Sequence, residues 1–258
     1  MYILSVDTTA KTASVCVAKD DSDTGLMPLA LLTLNGMLTH SESLLPMIDK
    51  ALNMSQINIS DLDAMAVTAG PGSFTGVRIG VSVIKGLAFS QGDKIPCIPL
   101  STLYCLALNV VGYSKNTIIC PLMDARREQF YNAVFKSNGE SVKRVCEDRV
   151  TTAQELTKEL MEKYSGKKII ICGDGAKLYY NLYRKYTSEN ELKIVLAHPA
   201  ELLQNAFSVA YAGWEVMKEQ DYSLGKYRGS ILSPIYLRLS QAERERNEKI
   251  KNANAVEI

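Results

Sequence analysis

The feature that most constrains the fold of this chain is a repeated order of secondary-structure elements. In the first half, the apolar periodicity predicts strands at residues 2–6, 14–18 and 29–34, a helix ending near residue 53, a strand at residues 64–69 and a helix at residues 74–90. The second half predicts strands at residues 118–123, 129–135 and 142–146, a helix ending near residue 164, a strand at residues 168–172 and a helix beginning near residue 176. Two copies of a βββαβα unit are therefore predicted.

The residues at the expected helix N-termini agree with these predicted elements. Thr39-His40-Ser41-Glu42 matches a capping box, and Thr151 or Thr152 is expected to cap the corresponding helix of the second unit. Pro46 lies inside the first helix and is expected to bend or reset its first turn, because proline lacks a backbone donor. A further amphipathic helix at residues 205–218 carries Trp214, the only tryptophan, which we expect to fill core.

The repeat also places particular residues in equivalent positions. Asp7 and Asp124 each follow the first strand of a unit, and Gly70-Pro71-Gly72 corresponds to Gly173-Asp174-Gly175. Duplicated α/β lobes that face each other across a cleft are typical of the actin, hexokinase and sugar-kinase (ASKHA) superfamily, an analogy that fixes no function. We expect an N-terminal lobe at residues 1–100, joined by the helix near 203–218, and a second lobe at residues 101–200. Residues 219–258 are expected to form a partly solvated C-terminal segment, with a solvated or frayed tail from residue 241 onward.

Composition limits the function classes. With 258 residues, 47% of them hydrophobic and 22% charged, the chain can form two modest cores. The 29 basic and 28 acidic side chains nearly cancel, so no sequence-wide field attracts nucleic acid or acidic lipid. The six cysteines are scattered without a C-x-x-C pair, which favours a reducing cytoplasm. Neither a basic leader nor a run of about 18 apolar residues is found, so neither targeting nor membrane insertion is expected.

Two segments are candidates for a relict nucleotide site. Asp7-Thr8-Thr9 stands where the superfamily places an acidic phosphate turn, although Thr8 replaces the usual glycine and a strand-ending Asx turn explains the triplet about equally well. Gly70, Gly72 and Ser73 lie between a strand and a helix, where free backbone N–H groups can hold an anion. The segment lacks the Gly-Lys-Ser/Thr of a Walker loop, so the nucleotide signal is weak.

Gly72, Gly76 and Gly80 form a glycine ridge along one side of the second helix. Each glycine inside a helix costs about 1 kcal/mol relative to alanine, so the spacing suggests that another backbone comes close. That backbone belongs either to the same lobe or to a partner chain, and the pattern alone leaves both open.

Metal and nucleophile signatures are weak. His40 and His198 are the only histidines and form no HExxH or HxxxH pair. No serine lies in a Gly-x-Ser-x-Gly context, and a cysteine nucleophile would have only these two histidines as a base.

Two strings carry a specific resemblance. THSESLLPMID at residues 39–49 and TAGPGSFTGVRIG at residues 68–80 closely resemble the TsaB family, as do LSVDTT at residues 4–9 and MDARR at residues 123–127. The likeness covers most of the first 130 residues. In the paralogous TsaD family, which carries the transferase chemistry, an HxxxH pair helps to bind a metal. Thr102 and Leu106 stand roughly where those histidines would fall.

The resemblance implies a non-catalytic subunit of the machinery that places threonylcarbamoyl on the adenosine at position 37 of tRNA. It implies docking to TsaD through the two helices of the first lobe, contact with TsaE through the TsaB–TsaD complex, a homodimer when alone and only indirect contact with tRNA. ATP and metal are expected on partner subunits, and no cofactor is expected here. The candidate contact residues are Leu45, Ile48, Gly76, Gly80 and Val83.

The sequence leaves two other functions to consider. An ATP-dependent phosphotransferase of the sugar-kinase superfamily would need a catalytic carboxylate opposite Asp7, and Asp124 or Asp174 could be proposed, although neither lies in a recognisable catalytic motif. An M22-type metallopeptidase is disfavoured by the two isolated histidines.

Overall fold

A computed structural model describes residues 1–36, 38–113, 115–187, 192–219 and 222–238. It contains two five-stranded mixed sheets, one in each half of the chain. The strand orders are β3-β2-β1-β4-β5 and β10-β9-β6-β7-β8. When the second order is read in reverse, equivalent strands take equivalent places, so the duplicated α/β fold predicted from the sequence is confirmed.

The first unit runs from β1 to β5. Its strands and helices are β1 (Tyr2–Asp7), β2 (Ala13–Asp21), β3 (Gly25–Leu34), α1 (His40–Ser55), β4 (Ala64–Gly70), α2 (Phe74–Ser90) and β5 (Cys97–Ser101). The central strand β1 pairs antiparallel with β2 and parallel with β4. Helix α1 begins with the predicted capping box of Thr39 and Glu42 and continues through Pro46.

The second unit follows helix α3 (Thr102–Leu108). Its strands and helices are β6 (Thr117–Asp124), β7 (Gln129–Ser137), β8 (Val142–Thr152), α4 (Ala153–Tyr164), β9 (Lys168–Cys172), α5 (Ala176–Tyr186) and β10 (Lys193–Leu196). Thr152 is the residue that caps α4, and Glu155 completes its capping box. Helix α6 (Ala206–Lys218) comes last, with Asn205 at its N-cap.

The first sheet is covered on both faces. Helices α1 and α2 pack on one face, around a core that contains Leu44, Ile48 and Ile84. Helix α6 packs on the other face through residues such as Val209. Trp214 packs partly buried against that second core.

Helix α3 connects the two lobes. Its residues Leu103 and Leu106 lie in the core of the second lobe, whereas Cys105 lies in the core between the first sheet and α6. Because one short helix contributes to two cores, the lobes are joined by packed side chains as well as by chain connectivity.

The elements that the pattern missed are short. β5 contains Pro99 and β10 has four residues, and each lies at the edge of its sheet. Proline is tolerated at a sheet edge but weakens a strand signal in sequence. Helix α3 has seven residues, too few to show a helical period. The predicted tail from residue 241 onward lies outside the described residues.

The pairing of the cysteines and the length and apolarity of the helices can also be compared with the sequence. All six cysteines are unpaired, and five of them are buried. Within the part of the chain that the structure describes, no helix is both long and apolar enough to cross a membrane.

Candidate functional site

A cleft of about 940 Å³ lies between the two lobes. The first lobe contributes Thr9, His40 and Ser73, and the second contributes Asp124 and Asp174. The two equivalent aspartates of the repeat occupy different environments at this cleft. Asp7 is buried beneath it with 1% of its surface exposed, whereas Asp124 lines it.

The Asp7 turn is closed by its own side chain. Both the backbone N–H and the hydroxyl of Thr9 donate to Oδ1 of Asp7, over 2.9 and 2.7 Å. Burial raises the pKa of Asp7 above its ordinary value of 3.8, although the bonds from Thr9 oppose that change. This geometry is the Asx turn that the sequence allowed, so the carboxylate already has partners within its own loop.

Two N–H groups at the turn before α2 have partners within the first lobe. The Ser73 N–H donates to the Thr9 carbonyl over 2.6 Å, and the Ser73 hydroxyl accepts from the Gly76 N–H over 3.3 Å. Ser73 is therefore the N-cap of α2. Gly70 and Gly72 are tightly enclosed, since a Cβ would lie 2.3 Å from the Ile235 carbonyl oxygen and 2.5 Å from the Thr9 carbonyl oxygen, respectively.

The glycine ridge on α2 is filled from within the chain. A Cβ on Gly76 would lie 2.0 Å from the Thr8 carbonyl oxygen, and one on Gly80 would lie 2.5 Å from Oγ1 of Thr8. The same hydroxyl donates to the Gly76 carbonyl over 2.7 Å. The backbone that the ridge accommodates is thus the turn after β1, which leaves no groove for a partner at these glycines.

The five candidate contact residues therefore separate into two groups. Ile48 is 2% exposed in the core, and Gly76 and Gly80 are buried against Thr8, so these three do not lie on the surface. Leu45 is 52% exposed, and Val83 is half-buried on α2. Helical spacing could not separate them, because the apolar stripe of α1 is wide enough to include both core and surface positions.

Asp124 and Asp174 meet at the floor of the second lobe. The Asp124 N–H donates to Oδ1 of Asp174 over 3.3 Å. Desolvation raises the pKa of Asp174 to about 6, and the charge of Asp124 contributes to the increase. The predicted correspondence of Asp174 with the Gly70–Gly72 turn is visible in the backbone, because Gly70 and Gly173 both have positive φ angles, of 128° and 94°.

Each histidine is close to a backbone group. His40 Nε2 lies 2.7 Å from the Ala10 carbonyl oxygen, and His198 Nδ1 accepts from the Ala200 N–H over 3.3 Å. Thr102 and Leu106 are both buried, one turn apart on α3. Among the described residues, no group of three histidine, cysteine, aspartate or glutamate side chains could hold a metal ion.

Residues 235–238 also line the cleft, although no sequence feature predicts this. The Ile235 N–H donates to the Ala69 carbonyl over 2.7 Å, and Arg238 Nη1 donates to the Ala125 carbonyl over 2.5 Å. No periodic signal marks this segment, so only the tertiary structure could place it here.

Comparison with known proteins identifies one consistent group. Residues 37–245 match the family model described as TsaD: tRNA N6-adenosine threonylcarbamoyltransferase. The chain is 30% identical over 171 residues to the tRNA threonylcarbamoyladenosine biosynthesis protein TsaB of Escherichia coli K12, which is 66% of this chain and 71% of the relative. It is 29% identical over 243 residues to the TsaB protein of Bacillus subtilis 168, which is 94% of this chain and 96% of the relative.

Among solved structures, YeaZ from Pseudomonas aeruginosa superposes with a TM-score of 0.67 at 21% identity, over 92% of this chain and 99% of that one. At this level of identity the likeness concerns the fold. The sequence comparisons with the two TsaB proteins, in contrast, indicate common ancestry.

Proposed function

Because this chain belongs to the TsaB family of tRNA threonylcarbamoyladenosine biosynthesis proteins, we propose that it is the non-catalytic subunit that binds and activates a TsaD-type partner. The transferase chemistry at position 37 of tRNA would take place on that partner. In this proposal the chain contributes a docking face formed by α1 and α2.

The observation that carries the proposal is the apolar character of the outer sides of α1 and α2. Leu45 and Met54 on α1 are 52% and 63% exposed, and Phe89 on α2 is 85% exposed. Val83 and Leu87 are half-buried on α2. Exposed apolar side chains on two neighbouring helices are typical of a surface that a partner covers. We call these five residues the docking face, a set that extends over more than one side of each helix because Leu45 and Met54 are nine residues apart.

The non-catalytic role is supported by the engagement of the candidate catalytic groups. Asp7 is bonded to Thr9, Ser73 caps α2, and Thr102 and Leu106 offer no imidazole at the positions that resemble the HxxxH site of TsaD.

Membership of the TsaB family also suggests the other partners. TsaE would bind through the TsaB–TsaD complex, tRNA would be contacted only indirectly, and ATP and metal would be held by partner subunits. Without TsaD, the docking face would pair with itself as a two-fold homodimer in the cytoplasm.

Calorimetric titration with TsaD from the same organism tests the proposal. We expect Leu45→Glu and Phe89→Glu each to weaken binding at least tenfold, equivalent to about 1.4 kcal/mol, because a carboxylate would be desolvated at the contact. Leu178→Glu is the matched control, since Leu178 is 40% exposed on α5 of the other lobe. Unchanged affinity in both docking-face variants would remove α1 and α2 from the interface.

A second titration, with ATP and magnesium, addresses the phosphotransferase alternative. We expect weak or no binding to the isolated chain. Phosphoryl or threonylcarbamoyl transfer by this chain alone would contradict the non-catalytic role.

A further inference from the structure

Residues 229–238 form an extended strap along α2, and its first part is anchored to the first lobe. The Gly229 N–H and the Ser230 hydroxyl both donate to the carboxylate of Asp93, each over 2.7 Å. Lys85 Nζ donates to the Leu232 carbonyl over 2.9 Å, and the Leu232 side chain is 3% exposed in the core beneath α2. This part of the strap is a fixed component of the first lobe.

The middle of the strap binds at the end of β4 and the start of α2. The Ile235 N–H donates to the Ala69 carbonyl, and the Ile235 carbonyl passes so close to Gly70 that a Cβ there would lie 2.3 Å away. The Tyr236 ring stacks on Phe74 with centroids 4.7 Å apart. Arg78 lies over Phe74 at 3.8 Å and donates from Nε to the Tyr236 hydroxyl over 2.8 Å.

The end of the strap crosses the cleft. Arg238 donates to the Ala125 carbonyl of the β6–β7 turn, in the second lobe. Residues 126–128 of that turn all have positive φ angles, between 55° and 67°. Non-glycine residues adopt this conformation rarely, so the turn that receives Arg238 has a conformation that other contacts must support.

These contacts divide unevenly between the lobes. Within residues 229–238, the strap has a buried side chain, a ring stack and several hydrogen bonds on the first lobe, and the hydrogen bond from Arg238 reaches the second. Ile231, Ile235 and Tyr236 are 41–59% exposed, whereas Leu232 between them is buried.

We propose that residues 229–238 are a latch between the lobes that couples the position of the second lobe to α2. When Arg238 holds the β6–β7 turn, Tyr236 and Ile235 hold the first turn of α2 and the end of β4. When Arg238 releases, the cleft opens about the α3 connection and the start of α2 loosens. The effect on partner binding rests on the proposed function, because α2 carries half of the docking face.

Hydrogen exchange on the isolated protein tests the latch without a partner. In Arg238→Ala and Tyr236→Ala we expect the Ile235 amide and the amides around Phe74 to exchange roughly tenfold faster, since each variant removes contacts that hold the strap. Small-angle scattering should show a larger radius of gyration for Arg238→Ala. Ser233→Ala is the control, because Ser233 is an exposed residue of the same strap.

Unchanged exchange and an unchanged radius of gyration in Arg238→Ala would overturn the latch. Faster exchange around residues 125–129 alone, with Ile235 and Phe74 unaffected, would also overturn it, because the two ends of the strap would then act independently.

Calorimetry of Arg238→Ala with TsaD tests the coupling. We expect affinity to fall about fivefold, at the lower end of ordinary coupling between sites. If exchange increases as expected but affinity is unchanged, the latch does not communicate with the docking face. If the unaltered protein does not bind TsaD at all, the proposed function fails, whereas the exchange result still decides the latch.

Discussion

At the scale of single residues, Asp7 shows how a motif that suggests ligand chemistry can be satisfied locally. Its carboxylate is buried and accepts two bonds from Thr9. The pKa of Asp7 is raised. Desolvation therefore destabilises the charged carboxylate more than the hydrogen bonds from Thr9 stabilise it. The carboxylate therefore fixes the turn at the expense of stability at neutral pH.

The replacement Asp7→Asn tests this balance. The folded state binds a proton at Asp7 more tightly than the unfolded state, so stability falls as pH rises from about 3.8 through the raised pKa. Asparagine keeps an acceptor for Thr9 but carries no charge. We expect the free energy of unfolding at pH 8 to increase by about 1–2 kcal/mol, and its decline as the pH rises above 3.8 to shrink, as measured by urea denaturation.

Asp7→Ala provides the comparison, because it removes both charge and acceptor. The Thr9 donors would lose their partner, and we expect a decrease of about 1–3 kcal/mol at pH 8. If asparagine destabilised the protein as much as alanine, the negative charge itself would be required, and the Asx-turn interpretation would be wrong.

At the scale of elements, helix α2 shows which of its properties follow from the sequence pattern and which follow from tertiary packing. Its bounds, Phe74–Ser90, agree with those predicted from the sequence. Its sides have different neighbours: the Thr8 turn lies against Gly76 and Gly80, the core against Ile84, and the strap against Arg78. The docking-face residues of α2 lie on the flanks between these contacts, where they are exposed or half-buried. The sequence predicted a close approach at the glycines without identifying the neighbour.

Two glycines of α2 provide a matched stability test. Gly76→Ala would bring Cβ within 2.0 Å of the Thr8 carbonyl oxygen, whereas a Cβ on Gly86 would meet nothing within 4 Å. We expect Gly76→Ala to lower the free energy of unfolding by about 3 kcal/mol through overpacking. Gly86→Ala should raise it by about 1 kcal/mol through helix propensity.

Chemical denaturation of the two variants measures both effects. Equal, small changes would mean that the turn after β1 moves freely away from α2. In that case Gly76 would again be available to a partner chain.

At the scale of the whole molecule, the lobes are held together by contacts far apart in sequence. Besides α3 and the strap, a polar cluster joins the first lobe to β8. The Ser101 hydroxyl and Arg144 Nη1 each approach the Asp148 carboxylate to 2.5 Å, and Arg144 lies 4.7 Å above the Phe135 ring. Arg144 and Asp148 are only 25% and 17% exposed, so solvent screens their interaction weakly.

Asp148→Ala should therefore destabilise the protein by about 2 kcal/mol, because it leaves a partly buried guanidinium and a hydroxyl without their acceptor. Glu162→Ala is the control. Its ion pair with Lys158 has a separation of 4.0 Å and exposures of 79% and 61%, so a change below about 0.5 kcal/mol is expected. Thermal unfolding of both variants measures the difference. Equal decreases in Tm would contradict a stabilising role of Asp148 between the lobes.

The sequence alone was enough for the repeat, the family and the bounds of some elements, whereas the predicted strands at residues 14–18, 29–34 and 142–146 are shorter than β2, β3 and β8. Apolar period, caps and glycine positions are local properties, and they identified α2 and β9 to the residue and the capping box of α1. The tertiary structure decided which sides of those elements face inward. It buried Ile48, filled the glycine ridge with Thr8, and laid residues 229–238 across the cleft. These outcomes depend on neighbours distant in sequence, and a periodic pattern records that a residue is apolar or small without recording what it will touch.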